Sequence, residues 1–242
     1  MDRGSGVLST QFLLPPNIIG YNKNNTDKGG IIYMKIDIWS DIACPFCYIG
    51  KRNLETALKD FKSEDEVEIV YHSYQLDPNA KKDGNRSSVQ ELADKYGSSM
   101  EQAQKMIDRV VSMANDVGLH YNYDAVINTN TLDAHRLSHY AKKFNKDKEI
   151  VEELFNAHFI EGLDIGDIEV LAKLGDRVGL DSDDIVKVLN SDEFNSEVDE
   201  DKYMARQYEI SSVPFFIFNN KYAISGAQPP EAFLETMNKA SE

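Results

Sequence analysis

Cys44 and Cys47 are the two cysteines of this 242-residue chain, set two residues apart in Cys44-Pro45-Phe46-Cys47. A secreted scaffold stapled by disulfides would carry more cysteines, spread widely. A structural zinc site needs four ligands, and no second cysteine pair is present. The chemistry left to a close pair is thiol–disulfide exchange, in which a thiolate attacks a disulfide and a second thiol resolves the mixed species.

Position decides which thiol does which. Ile36 and Ile38 alternate with Lys35 and Asp37, a strand pattern that ends at Ser40-Asp41. Pro45 suits the first turn of a helix, where its missing N–H costs nothing. A helix N-terminus presents unpaired N–H groups and about half a positive charge, which favours a thiolate placed there. Cys44 stands at that end. Cys47 precedes Leu54, Leu58 and Phe61 by seven, eleven and fourteen positions, on the apolar face of a helix running to about Phe61. The expectation is an exposed nucleophilic Cys44 and a shielded, resolving Cys47.

The elements around the motif follow from the pattern. Val67, Ile69 and Tyr71 alternate as a second strand, parallel to the first because a helix intervenes. From Val89 to Tyr208 the chain reads as successive helices, with helical spacing in Met106, Val110 and Met113 and in Ala134, Leu137, Ala141 and Phe144. Asp167 and Asp181 fit helix starts, and Gly118, Gly162 and Gly179 helix stops. Phe215 to Phe218 is a short strand, Asn219-Asn220 a turn, and Lys221 to Ser225 the return strand. Pro229-Pro230-Glu231 opens a last helix carrying Phe233, Leu234 and Met237. The order is β-α-β, a helical block, then β-β-α. The fold class is α/β with a large inserted all-helical domain: residues 34–86 and 210–242 form the two parts of one domain and 87–209 the insert.

Residues 1–33 read differently. Asn17 to Gly30 is polar, rich in Asn and Gly, and aperiodic, and Val7 to Leu14 is too short for a secretory h-region. Lys28-Gly29-Gly30 can be encoded by a sequence resembling a bacterial ribosome-binding site, three codons before Met34. The segment is expected to be a disordered or non-native leader, with Met34 the start of a bacterial, cytoplasmic protein. The formal charge of -15 argues against nucleic acid and anionic membranes as partners. No run approaches the ~20 apolar residues of a membrane span.

Several separated motifs carry a resemblance from about Met34 to near the end. They are Trp39-Ser40-Asp41, Cys44-Pro45-Phe46-Cys47-Tyr48-Ile49-Gly50-Lys51-Arg52, and Gln75-Leu76-Asp77-Pro78. Asn128-Thr129 with Ala134-His135-Arg136-Leu137 follows, then Val213-Pro214-Phe215-Phe216 and Ser225-Gly226-Ala227-Gln228. The chain resembles the DsbA-like thioredoxin family, and within it the cytoplasmic FrnE-like group. The resemblance implies a thioredoxin fold with the helical insert and disulfide exchange at Cys44 and Cys47. It also implies a cis Val213-Pro214 bond facing the thiols, with Pro45, Phe46, Ser212 and Val213 bordering the substrate. Strongly oxidising members carry Pro-His between the cysteines. Phe46 replaces that histidine and cannot donate a hydrogen bond or charge to a Cys44 thiolate, so a weaker oxidant is expected.

The same architecture hosts kappa-class glutathione transferases and 2-hydroxychromene-2-carboxylate isomerases. Those relatives place serine where Cys44 stands and tend to carry Asp-Arg after the late glycine, whereas this chain has Gly226-Ala227-Gln228-Pro229. Both departures favour the redox reading, with a glutathione-dependent isomerase or transferase as the alternative and a chaperone-like binding module behind it. The expected partner is a protein or small molecule bearing a thiol or disulfide. No cofactor beyond the redox disulfide is expected; glutathione as co-substrate and a homodimer stay open. Phe46, Tyr48, Phe215 and Phe216 lean towards core residues. Tyr48 beside the motif is as well read as packed as gating. His135 and His139 share a helix face, but a third metal ligand is not evident. The acidic runs Asp181 to Asp184 and Asp199 to Asp201 read as solvated helix ends.

Overall fold

The computed structural model describes residues 11–13, 34–61, 67–81 and 87–242. Its centre is a five-stranded sheet, in the order β1-β5-β4-β2-β3. β2 (Met34–Ser40) pairs in parallel with β3 (Val67–Ser73), and α1 (Pro45–Asp60) crosses between them. β4 (Phe215–Phe218) runs antiparallel to β2 on its other side and to β5 (Tyr222–Ser225) through a tight turn. Asn219 and Asn220 both take positive φ there, as two-residue hairpin turns require. β1 (Gln11–Leu13) adds an antiparallel edge strand to β5. It lies inside the stretch expected to be an unstructured leader; the rest of that stretch is outside the described residues.

The period-2 alternation of the strands sorts two cores. Met34, Ile36 and Ile38 of β2 and Phe216 and Phe218 of β4 meet Leu54, Ala57 and Leu58 of α1. Phe233 and Met237 of α9 (Pro230–Ala240) close that side. Trp39, Phe215 and Ile217 face the other way, into a larger core built with the helical insert. Buried on both faces, β4 reads as an unbroken apolar run, Phe-Phe-Ile-Phe.

The insert holds α2 (Ser88–Tyr96), α3 (Met100–Asp116), α4 (Leu132–Lys142), α5 (Asp147–Asn156), α6 (Ile168–Arg177), α7 (Ser182–Leu189) and α8 (Asn195–Gln207). α5 runs into a π-helical turn, Ala157–Glu161. Asp167 and Asp181 cap α6 and α7 by accepting from Val170 N–H and Asp184 N–H. Gly118, Gly162 and Gly179 follow helices with positive φ, which a side chain would strain. On α3 the buried residues are Ala103, Ile107 and Ala114. Met106 and Met113 are exposed, so the helix presents the neighbouring stripe to the core. Arg136 knots the insert: its guanidinium pairs with Asp133 and donates to the carbonyls of Val188, Leu189, Ser191 and Glu193. No helix of the described residues is long and apolar enough to cross a membrane.

Candidate active site

β2 ends at Ser40, a turn follows, and Cys44 becomes the N-cap of α1 with Pro45 in its first turn. The chain therefore delivers the motif to a helix N-terminus at the C-terminal end of a central strand. Both cysteines are free thiols. The Cys47 N–H donates to the Cys44 carbonyl at 3.0 Å, and the two side chains are near enough for Cys44 to act on the Cys47 thiol. The Val213–Pro214 peptide is cis, and Cys44 Sγ donates to the Val213 carbonyl at 3.5 Å.

Two glycines make that juxtaposition close. A Cβ on Gly50 of α1 would lie 3.0 Å from Pro214 Cγ and 3.2 Å from Phe216 Cζ, so only glycine lets α1 approach the proline loop unhindered. Gly226, with φ of +81°, donates its N–H to the Pro214 carbonyl at 2.8 Å and turns the chain out of β5. Gln228, in the segment that differs from the glutathione-dependent relatives, returns its amide to Ser225 O, and its carbonyl accepts from Asn53.

The two thiols are not distinguished by exposure. Cys47 is buried as expected, but Cys44 is only 3% exposed, which corrects the reading of an open nucleophile. The cause is the insert, whose position the local motif does not encode. Tyr121 donates from its hydroxyl to the Pro45 carbonyl at 2.7 Å and stacks on Phe159 of the π turn. Tyr121 and Tyr123 lie close enough to Cys44 that, beyond the effect of burial, its charge raises both phenol pKa values. Pro45 is half-buried, while Ser212 is exposed beside the buried Val213 and Pro214. Phe46 is 38% exposed, against the leaning towards core; Tyr48, Phe215 and Phe216 are buried. One apolar side chain thus stands at the lip of the site.

Cys47 is distinguished by its surroundings. Burial pushes its thiol well up, and the Cys44 contact adds to this; the Ser40 hydroxyl and the Asp41 N–H oppose it. Asp41 is itself fully buried. Burial would raise its carboxyl, but bonds from His135, Leu76 N–H and Thr131 hold it below the usual range. His135 also donates to the Tyr74 carbonyl at 3.1 Å.

Two polar clamps join the insert to the rest of the fold, one at the sheet and one at α1. In the first, His72 on β3 sits between Asp37 of β2 at 2.7 Å and Asp201 of α8 at 2.6 Å. Asp201 also accepts from Ser73 N–H and pairs with His139 at 3.0 Å. Burial works against charge on all three, yet mutual attraction wins: His72 is raised, and Asp37 and Asp201 are lowered. Trp39 stacks on His72 at 4.3 Å and donates to the Asp201 carbonyl. The Asp199 to Asp201 run is therefore not a solvated helix end. It lies within α8, and its third member is buried because it faces two histidines. In the second clamp, Glu152 of α5 accepts from Tyr48, Lys51 and Arg52 of α1. Burial opposes its charge, but those donors hold its carboxyl down to about 2. Tyr48 is thus packed and pinned. Among the described residues, no group of three or more His, Cys, Asp or Glu is arranged to hold a metal.

Residues 35–238 match the family model described as DSBA-like thioredoxin domain, and the chain belongs to that family. The uncharacterized protein YwbO of Bacillus subtilis (strain 168) is 29% identical over 205 residues, 84% of this chain and 95% of that protein. The crystal structure of a probable DsbA oxidoreductase, SCO1869 of Streptomyces coelicolor, superposes with a TM-score of 0.82 at 37% identity. It covers 86% of this chain and 90% of that one. A 2-hydroxychromene-2-carboxylate isomerase shares the fold at 16% identity and a TM-score of 0.62, over 85% of this chain and 95% of its own.

Proposed function

We propose that the chain is a thiol–disulfide oxidoreductase in which Cys44 attacks and Cys47 resolves. The observation that carries this is the pair of free thiols at the start of α1, with Cys44 Sγ held 3.5 Å from the carbonyl preceding Pro214. The Streptomyces relative named as a probable DsbA oxidoreductase supports the same class.

The cycle follows from the placement. Cys44 thiolate attacks one sulfur of a substrate disulfide and expels the other as thiolate. Cys47 then attacks Cys44 Sγ, forms the intramolecular disulfide and releases the second substrate thiolate. Two electrons pass from the dithiol to the substrate, and the reverse order oxidises a substrate dithiol. The Ser212-Val213 backbone offers an extended substrate a pairing edge beside Cys44, and Phe46 offers it apolar contact. Thiol- or disulfide-bearing proteins and small molecules fit this site. The two sulfurs are the redox group of this reading, and glutathione is one small thiol that could serve as co-substrate.

The test is a titration of the pair in defined thiol–disulfide buffers at one pH, read by Trp39 fluorescence. A two-electron transition abolished by Cys47→Ser is the expected result. No transition in wild type, with Cys47→Ser indistinguishable from it, would transfer the assignment to the glutathione-dependent isomerase or transferase class.

A further inference from the structure

The dithiol cycle needs a thiolate on Cys44, and the first turn of α1 leaves one backbone donor to receive it. As a thiol, Cys44 Sγ donates to the Val213 carbonyl at 3.5 Å and accepts no bond from the helix it caps. Once the proton leaves, the sulfur has nothing to give that carbonyl and turns to donors instead. An N-cap side chain is reached by the N–H groups of the second and third helical residues. Pro45, the first, has no N–H. Cys47, the third, already gives its N–H to the Cys44 carbonyl at 3.0 Å. The second is Phe46, whose N–H has no other bond among the described residues.

That N–H belongs to the Pro45–Phe46 peptide, and the insert holds the other end of the same peptide. Tyr121 donates its hydroxyl to the Pro45 carbonyl at 2.7 Å. A carbonyl that accepts a bond draws electron density across its amide and makes the N–H of that amide a better donor, so bonds in series strengthen one another. The tyrosine is fixed in this pose. It is 7% exposed, stacks on Phe159 with ring centroids 4.7 Å apart, and lies 6.2 Å from the Tyr48 ring. The next residue, Asn122, gives its N–H to the Phe159 carbonyl at 2.7 Å, which seats the loop on the π turn. Burial raises the Tyr121 phenol, so the hydroxyl stays a donor wherever the thiols exchange. The titratable groups that face Cys44 are Cys47 on α1 and Tyr121 and Tyr123 of the insert, and Ser211 to Phe215 add none.

We infer that Tyr121 is a positioning residue for the exchange: its hydroxyl, acting through the Pro45–Phe46 peptide, strengthens the Phe46 N–H that stabilises the Cys44 thiolate. The effect falls on the reduced state. Closing the disulfide removes the charge that the Phe46 N–H serves, so Tyr121 favours the dithiol form and makes the protein the stronger oxidant. The chemistry itself is unchanged: Cys44 attacks, Cys47 resolves, two electrons pass, and Tyr121 keeps its proton throughout. The insert thereby tunes the motif from 76 positions away in the chain.

This inference rests on the dithiol cycle proposed above, and one experiment separates the two. Three full-length proteins are equilibrated with glutathione buffers at one pH: wild type, Tyr121→Phe, and a protein carrying a monofluorinated tyrosine at position 121. The disulfide fraction is read by alkylation and mass spectrometry. Wild type without a two-electron transition would remove the cycle itself. Given that transition, Tyr121→Phe keeps the ring and its stacking and loses the hydroxyl. Bonds in series gain about 10–30% from one another, which on a bond to a charge amounts to roughly two- to threefold in the exchange constant. Tyr121→Phe is therefore expected to hold more disulfide in the same buffer by that factor. The fluorinated tyrosine, a stronger donor, should shift the constant the opposite way. Opposite shifts support the relay through the Pro45–Phe46 peptide. Equal constants in all three proteins overturn it, and so do shifts of both altered proteins in the same direction, which would mark a packing role. If Tyr121→Phe does not fold, the fluorinated protein decides alone: a stronger oxidant supports the inference, and an unchanged or weaker one refutes it.

Discussion

Replacing Asp201 with Asn tests the reasoning that joins the insert to the sheet. The carboxylate is buried and accepts from His72, His139 and Ser73 N–H at 2.6, 3.0 and 2.7 Å. Asn keeps one acceptor oxygen for Ser73 but presents an NH₂ to an imidazole that must itself donate to Asp37. Removing one partner of a buried ion pair costs about 3–5 kcal/mol, and the surviving acceptor places Asn at the low end, about 3. For a chain of this length that is a fall of roughly 6–12 °C in Tm. The pH dependence has a definite sign. His72 has a raised pKa in the fold, so its contribution is complete below its ordinary 6.5 and is lost as pH rises through the folded value. Asp37 and Asp201 are lowered, so theirs is complete above 3.8 and is lost as pH falls through their folded values. Wild type should therefore be most stable between about pH 4 and 6.5 as far as this cluster decides. In Asp201→Asn the decline above pH 6.5 should flatten, because His72 loses its second carboxylate. Thermal unfolding followed by circular dichroism from pH 4 to 9 measures both effects. A variant within about 1 °C of wild type at pH 6, with the alkaline slope intact, would refute the account.

Phe46→His places a cation beside the start of α1 and should raise the reduction potential. The position is half-open to solvent, so screening limits the gain to about 1 kcal/mol, or about 20 mV for a two-electron couple. Equilibration with glutathione buffers reads it, and an unchanged potential would show that this position does not tune the pair. Gly50→Ala sets two effects against each other. Crowding of Pro214 and Phe216 costs about 1–3 kcal/mol, while alanine returns about 1 kcal/mol of helix propensity. Net destabilisation of about 1 kcal/mol with slower Cys44 exchange is expected in denaturant melts and disulfide-release kinetics. A more stable variant with unchanged exchange would show that the Pro214 loop yields freely.

The local parts of the site were legible because their signals are local. Two cysteines, a proline and an alternating strand place a dithiol at a helix start within a dozen residues. Asn219-Asn220 announces its hairpin as plainly. What stayed hidden depends on contacts between residues far apart in the chain, 76 positions for Tyr121 with Pro45 and 129 for Asp201 with His72. Cys44 shares a core with Tyr121, whose hydroxyl reaches the Pro45 carbonyl from the insert, so a nucleophile that looks exposed in sequence is buried. Asp201 sits in a run of acids that resembles a wet helix surface; nothing near it in the chain reveals His72 and His139. Met106 and Met113 mark a helix correctly but not its inward face, since small residues, Ala103 and Ala114, let α3 pack closely and leave the larger side chains outside.

The stacking of Trp39 on His72 has an optical consequence. The chain has one tryptophan, and its indole lies 4.3 Å from an imidazole held between two carboxylates. An imidazolium accepts charge from an excited indole, so the emission of Trp39 reports the protonation of His72 as well as events in the core it shares with the dithiol. The same fluorophore then serves two measurements: at fixed pH it follows the thiols, and at fixed redox state it follows the latch between the sheet and α8. Loosening of that latch would be seen as a change in emission before any helix is lost.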